Sequence, residues 1–204
     1  DTLASLKTTV IVPAFQKDVS RCVMFSNFDD PMFIGQNEQI VNVARATSAA
    51  PIYLPHHTFN GHDHIDGGLF ANDAAQTAVE LARTIKPKYK KLCVLDLGTG
   101  KGNMGFDGTQ GLTGSDHMGA ILAALLDVTM VGAEELSNFN LTWKYLRTLD
   151  NFYYYKFQPT FAPDFPHELD NSVRDWYRAC ETIMNAQYNA DSSKISEFLG
   201  HLEE

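Results

Sequence analysis

Three places in this sequence group residue types that could do chemistry. The first is Cys93-Val94-Leu95-Asp96-Leu97-Gly98-Thr99-Gly100-Lys101-Gly102, a short apolar run that ends in an acid and three alternating glycines. A strand opening into a glycine turn is one way to bring backbone close to a nucleotide-like ligand. The second is His56, His57, His62 and His64, four histidines within nine residues, accompanied by Asp63 and Asp66. On an extended segment His62 and His64 would share a face, a spacing that can bind zinc. Asn60-Gly61 is a turn signal, and a hairpin with exposed histidines accounts for the same residues without a metal. The third is Asp66-Gly67-Gly68, a carboxylate followed by two residues without a Cβ. Taken alone, Asp-Gly-Gly reads as a turn.

The elements that must position these residues follow from periodicity. Val10-Ile11-Val12, Cys22 to Phe25, Leu92 to Leu95 and Phe152 to Phe157 read as strands bounded by Pro, Asn and Asp. Ala75, Ala78, Val79 and Ala82 line one helix face, with Asn72 or Asp73 as N-cap and Pro87 beyond its end. Met118, Ile121, Leu122, Leu125 and Val128 line a second, Gly- and Ala-rich helix. Val173, Trp176, Tyr177, Cys180, Ile183 and Met184 mark a third stripe, and Ile195, Phe198, Leu199 and Leu202 a fourth. All four stripes are expected to be core contacts. Strands and helices alternate through the first two thirds, which predicts an α/β fold with a mostly parallel sheet and a helical last third.

Composition narrows the function. The 204 residues are 44% hydrophobic and 20% charged, the profile of a folded globular chain. A net charge of −9 argues against a nucleic-acid partner and against simple charge attraction to an anionic membrane. The run Lys86-Pro87-Lys88-Tyr89-Lys90-Lys91 is the local exception and reads as a solvated linker. No apolar run approaches the roughly 20 residues of a membrane span. Asp1 to Ser5 has neither the basic start nor the apolar run of a signal peptide. Cys22, Cys93 and Cys180 are odd in number and dispersed, so they read as buried free thiols and favour a cytoplasmic protein.

Residues 42 to 75, NVARATSAAPIYLPHHTFNGHDHIDGGLFANDAA, resemble the patatin-like phospholipase family, lipid acyl hydrolases that use a Ser-Asp dyad. The resemblance rests on Ala44-Arg45-Ala46-Thr47-Ser48-Ala49-Ala50-Pro51, Tyr53, Asp66-Gly67-Gly68 and Asn72. TTVIVPAF upstream, Leu97-Gly98-Thr99-Gly100 and Tyr154 to Pro159 extend it in order to about residues 5 to 160. It implies a three-layer α/β/α domain, of which residues 1–204 are the C-terminal portion, with Asp66 as the dyad carboxylate and no metal or organic cofactor. The implied substrate is a phospholipid or another acyl lipid, with peripheral membrane contact. Phe161 and Phe165 could face its acyl chain, or serve ordinary packing. A carboxylate within about 2.6–3.2 Å can take a serine's proton, and partial burial would raise its proton affinity. Gly67 and Gly68 would let the chain turn tightly beside it.

The departures are as informative. The family's G-x-S-x-G elbow and its glycine-rich oxyanion loop are not found here. Ala46-Thr47-Ser48-Ala49-Ala50 has alanines where those glycines belong, and Gly114-Ser115 follows Thr113. Ser48 therefore resembles a structural position. The nucleophile is expected on a missing N-terminal segment or companion chain, leaving this chain inactive by itself. Asp73-Ala74 stands where the family commonly has Asn-Pro, and Asp96 where its turn has Ser. Two other readings compete. A storage or interaction protein could keep the fold without catalysis. An S-adenosylmethionine-dependent methyltransferase could use the glycine turn, but residues 101–115 show no helical periodicity, and Asp116 and Asp127 fall at the start of a helix and inside it. A nucleotide P-loop fails because Lys101 precedes Gly102 instead of Ser or Thr.

Overall fold

The computed structural model describes residues 1–85, 90–102, 118–162 and 174–203. The chain is α/β and divides into two compact units, Asp1–Ala78 with Gly108–Asn138, and Val79–Asp107 with Phe139–Glu204.

In the first unit, β1 (Ile11–Gln16) pairs antiparallel with β2 (Arg21–Ser26). A hairpin of β3 (His57–Phe59) and β4 (His62–Asp66) joins through β4, giving the order β2-β1-β4-β3. The hairpin turn is Asn60-Gly61, with φ of 52° and 79°, the left-handed pair that a two-residue turn requires. Side chains alternate across the sheet. Ala14, Gln16, Val23, Phe25 and His64 are buried on one face. Helix α1 (Ile40–Thr47) lies on that face and adds Val43 and Ala46. Ala14 and Ala46 are both fully buried, and their small side chains let helix and strand approach closely. Thr47 Oγ1 donates to the Pro13 carbonyl at 2.7 Å, which ties the helix end to β1. The strand expected at residues 10–12 thus runs on to Gln16, because its second half pairs with β4. Cys22 corrects an expectation: it faces away from α1 on the outermost strand and is exposed, whereas Cys93 and Cys180 are half-buried.

The second unit supplies the parallel pairing. Strand β5 (Leu92–Leu97) runs beside β7 (Phe152–Phe157) in full register, and β6 (Lys101–Gly102) beside β8 (Thr160–Phe161). Parallel strands thus make the two small sheets, while the four-stranded sheet is antiparallel throughout because hairpin-length loops join β1 to β2 and β3 to β4.

Short α2 (Gly68–Ala71) follows β4 directly. In α3 (Ala75–Ile85), Asp73 Oδ1 accepts the Ala75 N–H at 2.8 Å, the expected cap. Pro87 lies outside the described residues. Helix α4 (Met118–Phe139) runs into a π-helical stretch (Asn140–Tyr145) and the short α5 (Leu146–Thr148). Helices α6 (Arg174–Ala190) and α7 (Ser192–Glu203) close the chain.

The helices form where periodicity puts them, and their stripes are core contacts only in part: Val79 on α3 is buried. Leu125 and Val128 on α4, Tyr177 and Met184 on α6, and Leu199 and Leu202 on α7 are all exposed. Phe198 is buried over β7, its ring tilted against that of Tyr155 with centroids 6.0 Å apart. Periodicity identifies which side of a helix is apolar, and a neighbour must still exist to cover it. The side chains of Met118, Ile121, Leu122 and Val173 lie outside the described set.

Candidate functional site

Asp66 ends β4, and three main-chain anchors hold it there. Its N–H donates to the Ala49 carbonyl at 3.1 Å, its Cα pairs in register with Ala14, and its Oδ1 accepts the Gly68 N–H at 2.7 Å. The carboxyl is half-buried. Burial raises its proton affinity above the ordinary aspartate value, and the Gly68 N–H opposes that rise. A carboxylate fixed on one oxygen and made more basic by burial is chemically suited to accept a proton through the other.

Space is short at both glycines, and most of all at Gly67. Gly67 has φ −75° and ψ −16°, a backbone open to any residue. A Cβ there, however, would lie 2.2 Å from the Pro13 carbonyl oxygen. At Gly68 a Cβ would meet Asp66 Oδ1 and Asn72 Oδ1, each at 3.1 Å, and the Met130 methyl at 3.2 Å.

Ser48 is the serine nearest to Asp66 in the chain, and its hydroxyl is engaged elsewhere. Its Oγ donates to the Ala44 carbonyl one turn back in α1, at 2.8 Å. Thr47 and Ala49 on either side bond β1 and β4 through the contacts given above, so this block joins the helix to the strand that carries Asp66. Gly114 and Ser115 lie outside the described residues.

The histidine cluster separates into two environments. His56 is exposed and His62 half-buried at the hairpin rim. Lys17 Nζ donates to His56 Nδ1 at 3.0 Å, and His62 Nδ1 donates to Asp18 at 2.8 Å. Asp63 takes hydrogen bonds from Thr58 and an ion pair with Lys17, which hold its carboxyl below the usual range, the Thr58 bond most of all. His64 corrects the exposed-hairpin expectation: it is buried, stacked on Phe59 at 4.3 Å. Gln16 Nε2 donates to its Nε2 at 3.1 Å and its Nδ1 faces the His57 carbonyl at 3.3 Å, a neutral imidazole whose basicity burial lowers. Among the described residues no group of three or more His, Cys, Asp or Glu is placed to hold a metal ion. A cavity of about 220 Å³ beside His64, lined also by Phe25, Ile34, Phe59 and Asn60, lies toward the turn end of the hairpin and does not include Asp66.

The glycine turn after β5 is also committed to packing. Asp96 is buried, with its carboxylate 3.2 Å from Lys156 Nζ and accepting the Tyr154 hydroxyl at 2.8 Å. Lys156 is its register partner on β7. The acid that suggested a methyltransferase loop is therefore occupied by neighbours on the adjacent strand. Phe161 fills the space at Gly100, where a Cβ would lie 2.0 Å from its ring. It is buried and packs within the fold, while Phe165 lies outside the described residues.

Residues 3–79 match the family model described as Patatin-like phospholipase. The chain is 31% identical to Patatin-like protein 1 of Oryza sativa subsp. indica, over 46% of this chain and 28% of that protein. It is likewise 31% identical to Patatin-like protein 4 of Arabidopsis thaliana, with the same coverage. It is 34% identical to a cGAMP-activated phospholipase of Pseudomonas aeruginosa, over 48% of this chain and 30% of that protein. The matched part thus spans less than a third of each of these relatives.

Proposed function

From a chain that carries a patatin-like phospholipase segment at residues 3–79, we propose a part of a lipid acyl hydrolase in which Asp66 is the general base. The observation that supports this reading is the half-buried Asp66 carboxyl, more basic than an ordinary aspartate and fixed on one side by the Gly68 N–H. In the proposed reaction Asp66 takes the proton of a serine hydroxyl as its oxygen attacks the carbonyl carbon of an acyl-lipid ester. The tetrahedral intermediate collapses, the ester C–O bond breaks, and the alcohol leaves with the proton from Asp66. Water then loses its proton to Asp66 as it attacks the acyl-enzyme, and the departing serine oxygen takes that proton back, which frees the fatty acid and restores the serine and the carboxylate. The serine is supplied by a segment outside these 204 residues, and residues 1–204 form the C-terminal portion of the catalytic domain. No metal or organic cofactor takes part in these steps.

The test is ester hydrolysis by the longer protein bearing a G-x-S-x-G segment. Asp66→Asn should lower turnover by about 10²–10⁴-fold, the usual contribution of a positioned base. Undiminished turnover removes Asp66 from the mechanism, and serine-dependent turnover by the 204-residue chain alone places the nucleophile within it.

A further inference from the structure

Between Ala50 and His56 the chain carries Pro51-Ile52-Tyr53-Leu54-Pro55, and its three central residues are apolar and exposed. Ile52 is 56% exposed, Tyr53 41% and Leu54 54%. Ile52 also sits at φ 78°, a region that a β-branched side chain occupies only under strain. The loop is pinned at both ends. The N–H groups of Tyr53 and Leu54 donate to the Ala50 carbonyl at 3.2 and 2.9 Å, and His56 is held by Lys17. Ala49, just before it, accepts the Asp66 N–H. Strand β3 leaves the loop beside the end of β4 that carries Asp66, because His57 pairs with His64. The rigid apolar tip and the carboxyl therefore emerge at the same end of the hairpin.

We infer that this loop is an interfacial anchor that inserts Ile52, Tyr53 and Leu54 into a lipid surface and presents that surface to the Asp66 end of the sheet. Three observations select a lipid surface as the occupant. The tip joins two aliphatic side chains to a tyrosine, whose amphipathic ring suits the boundary between headgroups and acyl chains. Prolines and hydrogen bonds fix the loop in advance, so little ordering entropy is lost on insertion. The net charge of −9 leaves apolar insertion as the attractive term at a neutral surface. The inference deepens the hydrolase reading and rests on it for the identity of the surface.

The experiment uses the longer protein with neutral phosphatidylcholine vesicles and, separately, a water-soluble short-chain ester. The variant is Ile52→Asn with Leu54→Asn; asparagine tolerates φ above zero, so the turn is kept while the apolar tip is lost. Vesicle partitioning and vesicle hydrolysis should each fall by roughly tenfold or more, with little dependence on salt. Hydrolysis of the soluble ester should be unchanged, which also reports that the variant folds. Asp66→Asn should bind vesicles like the parent and hydrolyse neither substrate. Unchanged partitioning of the double variant overturns the anchor. Equal loss on vesicles and soluble ester also overturns it, since the loop would then be serving the active site or the fold. Intact vesicle binding by a parent protein that hydrolyses no ester sinks the hydrolase reading and leaves the anchor standing.

Discussion

Gly67→Ala separates two explanations of the Asp-Gly-Gly segment by the sign of its effect. Gly67 has a helical backbone, φ −75° and ψ −16°. If only backbone freedom mattered, alanine would fit and stabilise the fold by about 0.5–1 kcal/mol through a less flexible unfolded chain. The surroundings argue the opposite. The new Cβ would lie 2.2 Å from the Pro13 carbonyl oxygen, 2.4 Å from its carbon and 2.8 Å from Pro13 Cβ. That carbonyl cannot retreat freely, because it accepts the Thr47 hydroxyl and sits beside Ala14, which pairs with Asp66. Overpacking costs about 1–3 kcal/mol, and losing the Thr47 bond about 1 kcal/mol more. After the entropic gain, the expected net loss is about 1–3.5 kcal/mol. Urea unfolding followed by far-ultraviolet circular dichroism would measure it, with hydrogen exchange at the Asp66 amide locating the strain. A midpoint equal to or above that of the parent would refute the steric argument.

Other substitutions probe other parts of the argument. Gly61→Ala meets no atom within 4 Å but keeps φ at 79°, so denaturant unfolding should show a loss of about 1–2 kcal/mol from backbone strain alone. Lys156→Met removes the cation beside buried Asp96 and should cost about 3–5 kcal/mol, whereas adding Asp96→Asn should restore much of it in the same measurement. The Asp66 carboxyl binds a proton more tightly folded than unfolded. Between those two affinities the native state holds more protons, so stability falls as pH rises through that window and stays reduced above it. Asp66→Asn should therefore raise the unfolding midpoint at neutral pH and flatten its pH dependence. In the longer protein, ester turnover should rise with pH through an inflection above the ordinary aspartate range, which a pH–rate profile would show.

Local patterns were legible in the sequence because the information they need is local. Phe152 to Phe157 is a strand with the expected bounds, and Asn60-Gly61 makes the hairpin turn. The candidate site was legible only as a set of residue types. Asp66 owes its proton affinity to burial and its orientation to Gly68, Ala14 and Ala49, and no spacing rule carries those contacts. His64 shows what the pattern did offer. In an extended segment His64 must lie on the opposite face from Asp63 and Ile65, so the burial of that one face follows from alternation once β1 is known to pair there. The exposed parts of the α6 and α7 stripes depart from the core expectation for a different reason. A periodicity records one side of an interface and is silent about the other.

Strand β5 has β7 as its partner among the described residues, and Leu95 and Leu97 are 52% and 70% exposed along it. Among the described residues its remaining edge is unpaired and presents backbone donors and acceptors beside apolar side chains, with no lysine, proline or bulge within Leu92–Leu97 to discourage pairing. Such an edge is a template for another extended chain. Prepared as 204 residues, the protein should thus be limited by concentration-dependent aggregation, and a charged substitution at exposed Leu97 would be the direct remedy.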